Sequence, residues 1–290
     1  ADKYFTPFLS PNATCTFQRK ELDEIDPEHN RGLNVVPQLL TNRAEHFLWA
    51  ARELHDRGFR EVNFNLGCPA GTVAAKRKGA GLLAYPQELD RCLEEIFAGL
   101  PRGMTVSVKT RIGKNDPGEW PGLLEIYRRY PLAELIVHPR LQKKFYKGTP
   151  HREAFSTVSG PWPVVYNGDI WTAEDAAALS RDFPGTDAVM LGRGLMRDPS
   201  LLRQLRGGPA ASVREVRTYH DRLLDAYRQR LSGDLPVMHR MWELWTYLAA
   251  GFDGAEPYLK RMRKAKNLSE YQAAVDALLR EQPLVYSKEG

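Results

Sequence analysis

The stretch Asn63–Pro69, which reads NFNLGCP, decides the fold of this chain. Its apolar residues are typical of a buried strand, and its last three form a tight Gly-Cys-Pro loop. An amide side chain, Asn65, stands three residues before the thiol of Cys68. In α/β barrels the catalytic groups lie on loops that directly follow parallel strands. The stretch therefore predicts a functional loop, although a lone cysteine such as Cys68 is often just a small buried hydrophobe.

Apolar strands and helical patterns alternate on both sides of this stretch. The predicted strands are Tyr4–Phe8, Leu33–Leu40, Glu61–Leu66, Thr105–Thr110, Glu134–Val137, Val164–Tyr166 and Ala188–Leu191. The predicted helices among them are Arg43–Arg57, Gln87–Leu100, Leu123–Tyr130 and Ala173–Phe183. Such alternation, with short and nearly continuous apolar strands, predicts a parallel sheet covered by helices. We predict the α/β class, with a TIM (β/α)8-type barrel whose first strand is missing at the N-terminus.

A second domain is indicated by a change of pattern at the turn-rich segment Gly207–Pro209. Helical patterns follow over Val213–Leu231, Met238–Ala250, Ala255–Asn267 and Ser269–Glu281. We therefore predict a catalytic barrel over residues 1–206 and a small helical bundle over residues 207–290.

Composition narrows the class of protein. The formal net charge is +5, so the chain is mildly basic, and the position of the charges matters more than their sum. No run approaches the roughly 18 apolar residues of a membrane helix, so we expect no membrane contact. The three cysteines lack metal-ligand spacing, which predicts no metal site and a reducing compartment, the cytoplasm. We expect a monomer.

Polar residues recur where the predicted strands end, and in a barrel all of these ends meet at one mouth. In strand order they are Gln38; Asn65 and Cys68; Lys109 and Arg111; His138 and Arg140; Asn167, Gly168 and Asp169; and Gly192, Arg193 and Gly194. Any one of them could be structural, but six consecutive strands with this habit favour an active site. The glycines after the last strand suit a phosphorylated ligand, because backbone N–H groups can approach phosphate closely there.

The chemistry of Cys68 has two readings. An ordinary thiol has a pKa of about 8.5 and is mostly protonated near neutrality, so it can donate a proton without special activation. A nucleophilic thiolate would need a lowered pKa, and no histidine stands next to Cys68 in the sequence. Lys109 ends an apolar strand, where a lysine is unusual unless it meets an anion or an electron-rich ring.

Six motifs in register together resemble the tRNA-dihydrouridine synthases. They are Asn65–Pro69, Lys78–Gly81, Ser107–Arg111, His138–Arg140, Asn167–Ile170 and Gly192–Gly194. The resemblance runs from about Lys3 to Leu205 and continues more weakly through the helical tail. It implies an FMN-containing TIM barrel with a helical domain, which reduces the C5–C6 bond of particular uridines in tRNA with NADPH as reductant.

The resemblance also implies roles for single residues. Cys68 would be the general acid that protonates C5, and Asn65 would hold the uracil edge. Gln38, Lys109 and His138 would contact the flavin ring, and Arg140 would lie near the substrate or the flavin phosphate. The phosphate end of the flavin would lie against Asn167, Gly168, Asp169, Gly192 and Arg193. Members of the family open with a strand that carries an Ala-Pro-Met-type motif, which is absent before Lys3, so we expect that this sequence is truncated.

Basic residues predict an RNA-binding surface. Lys260, Arg261 and Lys264 lie in one short helical segment, and Lys260 and Lys264 share a face at i, i+4 spacing. Further lysines and an arginine fall in loops at the predicted mouth: Lys76, Arg77, Lys78, Lys143, Lys144 and Lys147. Such groups bind phosphates and fix the position of a nucleic acid. A solvated helix face is the alternative for the helical cluster.

Two other functions remain open from the sequence. A flavin-dependent barrel that acts on a small pyrimidine would use a similar loop cysteine with lysine and asparagine. An RNA-binding relic without enzymatic activity would result if the flavin site were incomplete.

Overall fold

The computed structural model describes residues 1–286 and divides them into two compact units. The first unit is Ala1–Gly168 with Phe183–Met190, and the second is Asp169–Asp182 with the described residues from Leu191 onward. The predicted domain boundary at residues 206 and 207 stays a prediction, and the last four residues of the predicted helical domain lie outside the described ones.

The first unit is built on one parallel sheet. Its strands are β1 (Tyr4–Leu9), β2 (Val35–Leu39), β3 (Glu61–Leu66), β4 (Thr105–Arg111), β5 (Leu135–His138), β6 (Val164–Asn167) and β7 (Ala188–Met190). They pair in chain order, and every pair is parallel. All seven predicted strands are therefore confirmed, with ends that shift by one or two residues. Within residues 1–286 the outer strands β1 and β7 have one partner each.

Helices of the first unit follow the strands. They are α1 (Arg19–Glu24), α2 (Ala44–Asp56), α3 (Gly71–Ala74), α4 (Pro86–Gly99), α5 (Trp120–Arg128) and α6 (Arg152–Phe155), with 3-10 turns at Gly79–Ala84, Pro117–Glu119 and Gln142–Lys144. In α2 the spacing of Phe47, Ala50, Ala51 and Leu54 puts four apolar side chains on one buried face. Phe47 packs edge-on against Phe64 of β3, with ring centres 5.2 Å apart. Burying such a ring stabilises the fold by roughly 1.5–3 kcal/mol.

The second unit is helical. Its helices are α7 (Ala173–Asp182), α8 (Arg193–Arg197), α9 (Leu201–Leu205), α10 (Val213–Arg230), α11 (Asp234–Leu248), α12 (Glu256–Lys264) and α13 (Leu268–Glu281), with a 3-10 turn at Ala249–Gly251. The four helices predicted for the tail are confirmed. Helix α11 begins four residues before the predicted start, because Pro236 lies in its first turn, where a missing N–H group costs nothing.

The core of the second unit surrounds a fully buried polar chain. The indole Nε1 of Trp245 donates to the hydroxyl of Tyr271 at 2.8 Å, and that hydroxyl lies 2.8 Å from Nε2 of His220. Nδ1 of His220 lies 2.8 Å from the carboxylate of Asp221, to which it donates, so in the neutral ring Nε2 accepts from the Tyr271 hydroxyl. Burial lowers the pKa of His220, which keeps it in this neutral form. Trp245 is thus a core residue of the second unit.

Candidate active site

A chain of buried amides crosses the first strands of the sheet. The side chain of Gln38 on β2 donates to Asn63 Oδ1 at 2.9 Å and accepts from Asn65 Nδ2 at 2.7 Å. Asn63 in turn donates to the hydroxyl of Ser107 on β4 at 3.0 Å. Parallel register sets these contacts, because Gln38 lies opposite Asn63, and Asn63 lies opposite Ser107. Buried amides that satisfy one another hold their orientation rigidly.

Asn65 connects this chain to the thiol loop, Gly67–Pro69. Its Oδ1 accepts the backbone N–H groups of Gly67 at 3.0 Å and of Cys68 at 2.9 Å. Two donors on one oxygen close the tight turn that follows β3. Asn65 is therefore brought next to Cys68 as the sequence predicted, and its carbonyl oxygen is already engaged by the loop. One amide hydrogen of Asn65 remains after the contact with Gln38.

The thiol loop also lies directly against the glycine-rich turn that follows α3. The carbonyl of Cys68 accepts from the N–H of Ala80 at 3.1 Å. A Cβ atom at Gly79, whose φ is +55°, would lie 2.9 Å from both Cβ and the carbonyl oxygen of Cys68. Only glycine fits there without a shift of the thiol loop. Cys68 itself is half-buried, whereas Cys92 is buried in α4.

Two side chains from other strand ends hold the carbonyls on either side of Cys68. Nε of Arg111 donates to the carbonyl of Gly67 at 3.0 Å, and its NH1 donates to that of Leu141 at 2.9 Å. Nε2 of Gln142 donates to the carbonyl of Pro69 at 2.7 Å. Both side chains are buried. The backbone on both sides of the thiol is therefore fixed by hydrogen bonds.

Lys109 on β4 lies beside the thiol loop. Its Nζ would be 3.7 Å from a Cβ atom at Gly67. Burial and, to a smaller extent, the charge of Arg111 lower the pKa of Lys109, interaction with Cys68 opposes them, and the net result is a pKa of about 8. No carboxylate within residues 1–286 forms an ion pair with Lys109. A desolvated ammonium of this kind suits an electron-rich or anionic ligand.

His138 and Arg140 form a buried pair after β5. NH1 of Arg140 lies 3.0 Å from Nε2 of His138, and because a guanidinium only donates, that nitrogen accepts. Arg140 also donates to the carbonyl of Gly148 through Nε at 3.1 Å. These contacts give Arg140 a part in holding its own loop, and a direct contact with substrate stays a prediction. A Cβ atom at Gly168 would come within 3.1 Å of the His138 ring, so glycine leaves room for it.

The residues predicted for a phosphate end fall in both units. In the first, Nδ2 of Asn167 donates to the carbonyl of Met190 at 2.9 Å, which ties β6 to β7. In the second, Arg193 forms an ion pair with Asp169 at 3.0 Å. Gly192 is exposed, with nothing within 4 Å of an added Cβ, whereas one at Gly194 would lie 2.2 Å from the Ile170 carbonyl. Gly194 is thus required by packing, and Gly192 leaves its backbone open.

Basic loops of the first unit divide into two kinds. Arg77 is committed locally, since it pairs with Glu88 at 2.6 Å and lies 4.2 Å from the ring centre of Tyr85. Lys143, Lys144 and Lys147 are exposed, and so are the aromatic residues between them, Phe145 and Tyr146. The segment after β5 therefore carries exposed positive charge, Lys76 is exposed as well, and the exposed Arg77 has Glu88 as its ion-pair partner.

Helix α12 presents a basic surface in the second unit. Lys260, Arg261 and Lys264, with Arg263 and Lys266 beside them, are exposed, and none forms an ion pair with another described residue. Tyr258 and Met262 anchor the opposite, buried face. Arg261 lies 6.0 Å from the ring centre of Tyr258, and Arg263 lies 6.0 Å from that of Trp242. We call Lys260, Arg261 and Lys264 the basic face.

The donor set around the thiol loop fits a flavin ring. Gln38 and Asn65 present amides, and Lys109 presents a cation without a carboxylate partner among the described residues. A flavin offers carbonyl oxygens and ring nitrogens to such donors. In residues 1–286 no group of three His, Cys, Asp or Glu side chains could hold a metal ion. None of the helices that the structure describes is long and apolar enough to cross a membrane.

Sequence reasoning missed several residues that build this site: Asn63, Ser107 and Gln142. One signal was available, because Asn63 and Asn65 alternate with Phe64 and so share a face of β3. Gln142 carried no such signal, since its partner Pro69 is 73 residues away in the chain.

Comparison with known proteins points to one family. The family model described as dihydrouridine synthase (Dus) matches residues 1–283. A protein from Staphylococcus aureus (strain Mu50 / ATCC 700699) named "Probable tRNA-dihydrouridine synthase" is 25% identical over 288 residues, which cover 95% of this chain and 84% of that protein. A Bacillus subtilis (strain 168) protein named "Probable tRNA-dihydrouridine synthase 2" is also 25% identical over 288 residues, which cover 95% of this chain and 85% of that protein.

Solved structures agree with the fold. The structure of TcOYE with pHBA has a TM-score of 0.50 at 12% identity, over 72% of this chain and 81% of its own. Histamine dehydrogenase from Rhizobium sp. 4-9 also has a TM-score of 0.50, at 10% identity, over 70% of this chain and 40% of its own. These likenesses concern the fold alone, and with the seven parallel strands they confirm the predicted TIM-barrel class.

Proposed function

The chain belongs to the dihydrouridine synthase family, and on that premise we propose that it reduces uridine in tRNA to 5,6-dihydrouridine. The observation that carries the proposal is the fixed thiol loop: Cys68 stands half-buried between Asn65 and Lys109, with its backbone held on both sides. This arrangement supports a proton donor held beside a flat, carbonyl-rich ring. The names of the curated relatives support tRNA as the substrate.

We propose FMN as the flavin and NADPH as its reductant. Bound FMN would supply the hydride that adds to C6 of the uracil ring. Gln38, Lys109 and His138 would contact the flavin ring, and Asn167 and Gly168 would lie toward its phosphate. We also propose that Asp169, Gly192 and Arg193 contact the flavin phosphate, and this part of the proposal is supported by the sequence motifs alone.

In this proposal Cys68 is the general acid. Negative charge builds at C5 and O4 when C6 gains hydride, and the thiol donates its proton to C5, a form of help worth about 10²–10⁴-fold in rate. The Lys109 ammonium, which interacts electrostatically with Cys68, stabilises the thiolate until water returns a proton. The remaining amide hydrogen of Asn65 can bind a uracil oxygen and align the base.

A uridine in folded tRNA must leave its stack to reach Cys68, at a cost of a few kcal/mol. Phosphate contacts elsewhere on the protein offset that cost. The exposed lysines at Lys143, Lys144 and Lys147 and the basic face of α12 support this part of the proposal. Since tRNA and NADPH are cytoplasmic reactants, we propose that the enzyme acts in the cytoplasm as a monomer.

The test uses the purified protein with tRNA from cells that lack its gene. We expect a yellow preparation that adds two hydrogen atoms to a uridine in tRNA when NADPH is present, located by mass spectrometry of nuclease fragments. Free uracil and uridine serve as matched substrates. Reduction of the free pyrimidines but not of tRNA would favour the small-molecule alternative, and a colourless, inactive preparation would contradict the proposal.

A further inference from the structure

One hydrogen bond connects the thiol loop to the exposed basic segment after β5. It runs from the side chain of Gln142 to the carbonyl of Pro69, at 2.7 Å. Pro69 directly follows Cys68, so this carbonyl is one peptide removed from the proposed acid. The next residues along the chain from Gln142 are the exposed Lys143 and Lys144.

The donor itself is rigidly placed. Gln142 is only 8% exposed, and its own backbone N–H donates to the carbonyl of Gly113 at 3.0 Å. It begins a 3-10 turn that ends at Lys144. A buried amide whose main chain is anchored in this way loses little entropy when it holds a partner. The direction of the Pro69 carbonyl therefore depends on where this turn lies.

Pro69 has no N–H to donate, so its carbonyl is the only backbone group through which it can form a hydrogen bond. After Cys68 the thiol loop is held at two carbonyls: the N–H of Ala80 donates to that of Cys68, and the side chain of Gln142 donates to that of Pro69. A shift of about 1 Å in a reacting group can cost on the order of 10²-fold in rate. Small displacements of the Lys143–Lys144 turn would reach the thiol loop through the contact between Gln142 and Pro69.

We infer that Gln142 is a positioning residue that aligns the Cys68 thiol and couples this alignment to the basic segment Lys143–Lys147. This inference rests on the proposed function, in which that segment meets tRNA and Cys68 donates a proton. Gln142 acts through Pro69 and touches neither base nor flavin. Its loss should therefore lower turnover on tRNA and leave the affinity for tRNA nearly unchanged.

The decisive variant is Gln142→Glu, which keeps the shape and removes the donor at neutral pH. The introduced carboxylate and the Pro69 carbonyl are both acceptors and repel each other. We therefore expect kcat on tRNA to fall by about 10- to 100-fold at pH 8, with KM changed by less than about threefold. A protonated carboxyl regains an O–H donor. The ratio of variant to wild-type kcat should therefore rise as the pH falls toward 5.5, a recovery that a merely structural defect would not show.

A second readout does not depend on turnover. In Gln142→Ala the loop is released, so iodoacetamide should modify Cys68 at least about threefold faster than in the wild type, measured by peptide mass spectrometry without tRNA. The control is Gln87→Glu, the same chemical change at an exposed glutamine in the first turn of α4. It should leave kcat and the modification rate at wild-type values.

Wild-type kcat for Gln142→Glu at pH 8 would overturn the inference, and so would an unchanged modification rate in Gln142→Ala. If the wild type itself made no dihydrouridine, the proposed function would fail, while the modification rates would still decide whether Gln142 holds the thiol loop. A Gln142→Glu protein that failed to fold would leave Gln142→Ala to give that decision.

Discussion

The thiol loop of the first unit and the basic face of α12 in the second hold their functional side chains in opposite ways. Around Cys68, hydrogen bonds from Asn65, Arg111 and Gln142 fix the backbone on both sides of the thiol. On α12, the cations are exposed and have no ion-pair partner among the residues described. The first arrangement suits chemistry that tolerates little displacement, and the second suits long-range attraction of a polyanion.

This difference predicts how substitutions in the two regions should change kcat and KM. Changes at the thiol loop should lower kcat with little effect on tRNA binding, because preorganised groups act on the reacting atoms. Changes at the basic face should raise KM and alter its dependence on salt, because exposed charges act through counterion release. Variants in each region test whether the thiol loop and the basic face differ in this way.

The largest effect is expected for Cys68→Ala. Without the proton donor, turnover on tRNA should fall by about 10²–10⁴-fold, the usual contribution of a general acid. The bound flavin and the rate of its reduction by NADPH should stay at wild-type levels, as should the affinity for tRNA. Stopped-flow absorbance and dihydrouridine analysis by mass spectrometry measure these quantities separately.

Cys15→Ala provides the matched control, since Cys15, like Cys68, is a half-buried free thiol. It should retain full turnover. Wild-type turnover in Cys68→Ala would remove the general-acid role and leave the thiol loop as a structural feature.

The pattern of the sequence predicted much of the first unit. Short, nearly continuous apolar runs followed by polar residues located all seven strands and placed Asn65 near Cys68, because both signals depend on local spacing. The spacing of Lys260 and Lys264 likewise predicted one exposed face on α12. In each case the signal lies within a few residues of the chain.

What the sequence could not predict is the set of contacts between distant strand ends. Arg111 reaches the carbonyl of Gly67 from 44 residues away, and that pairing exists only because β3 and β4 are neighbours in register. The same limit applies to the ion pair between Arg77 and Glu88, which are 11 residues apart in the chain and both exposed. Local sequence patterns identify the functional side chains, and the tertiary fold determines which hydrogen-bond and ion-pair partners they have.

A smaller effect is expected when the basic face is reversed in charge. The combined variant Lys260→Glu, Arg261→Glu and Lys264→Glu should raise KM for tRNA by about 10-fold or more at 0.1 M salt. The slope of log affinity against log salt should fall by about 2 to 3, roughly 0.7–0.9 for each lost phosphate contact. Flavin content and kcat at saturating tRNA should not change. Filter binding across a salt series measures the slope.

Arg222→Glu is the control for this variant, because Arg222 is an exposed arginine on α10 of the same unit. It should leave the affinity for tRNA within about twofold of the wild type. Unchanged affinity in the combined variant at low salt would mean that the basic face is only a solvated helix surface.

The smallest effect concerns the free energy of unfolding as a function of pH. It tests whether the buried ammonium of Lys109 beside the thiol loop destabilises the folded protein. Burial lowers the pKa of Lys109 to about 8, below its ordinary value of about 10.4 in an unfolded chain. Between these values the unfolded chain binds a proton that the folded protein has released. The contribution of Lys109 to the free energy of unfolding should therefore rise with pH from about 8 to about 10.4 and stay level below about 8.

Lys109→Met, which keeps the length and removes the charge, isolates this contribution. The free energy of unfolding of the wild type minus that of the variant should increase by at most about 3 kcal/mol across this range, and by less where solvent reaches the ammonium. Urea denaturation of both proteins without ligands at pH 7.5, 8.5 and 9.5 gives the difference. A level difference would mean that Lys109 is as well solvated as the cations of the basic face, and the contrast between the two regions would then rest on hydrogen bonding alone.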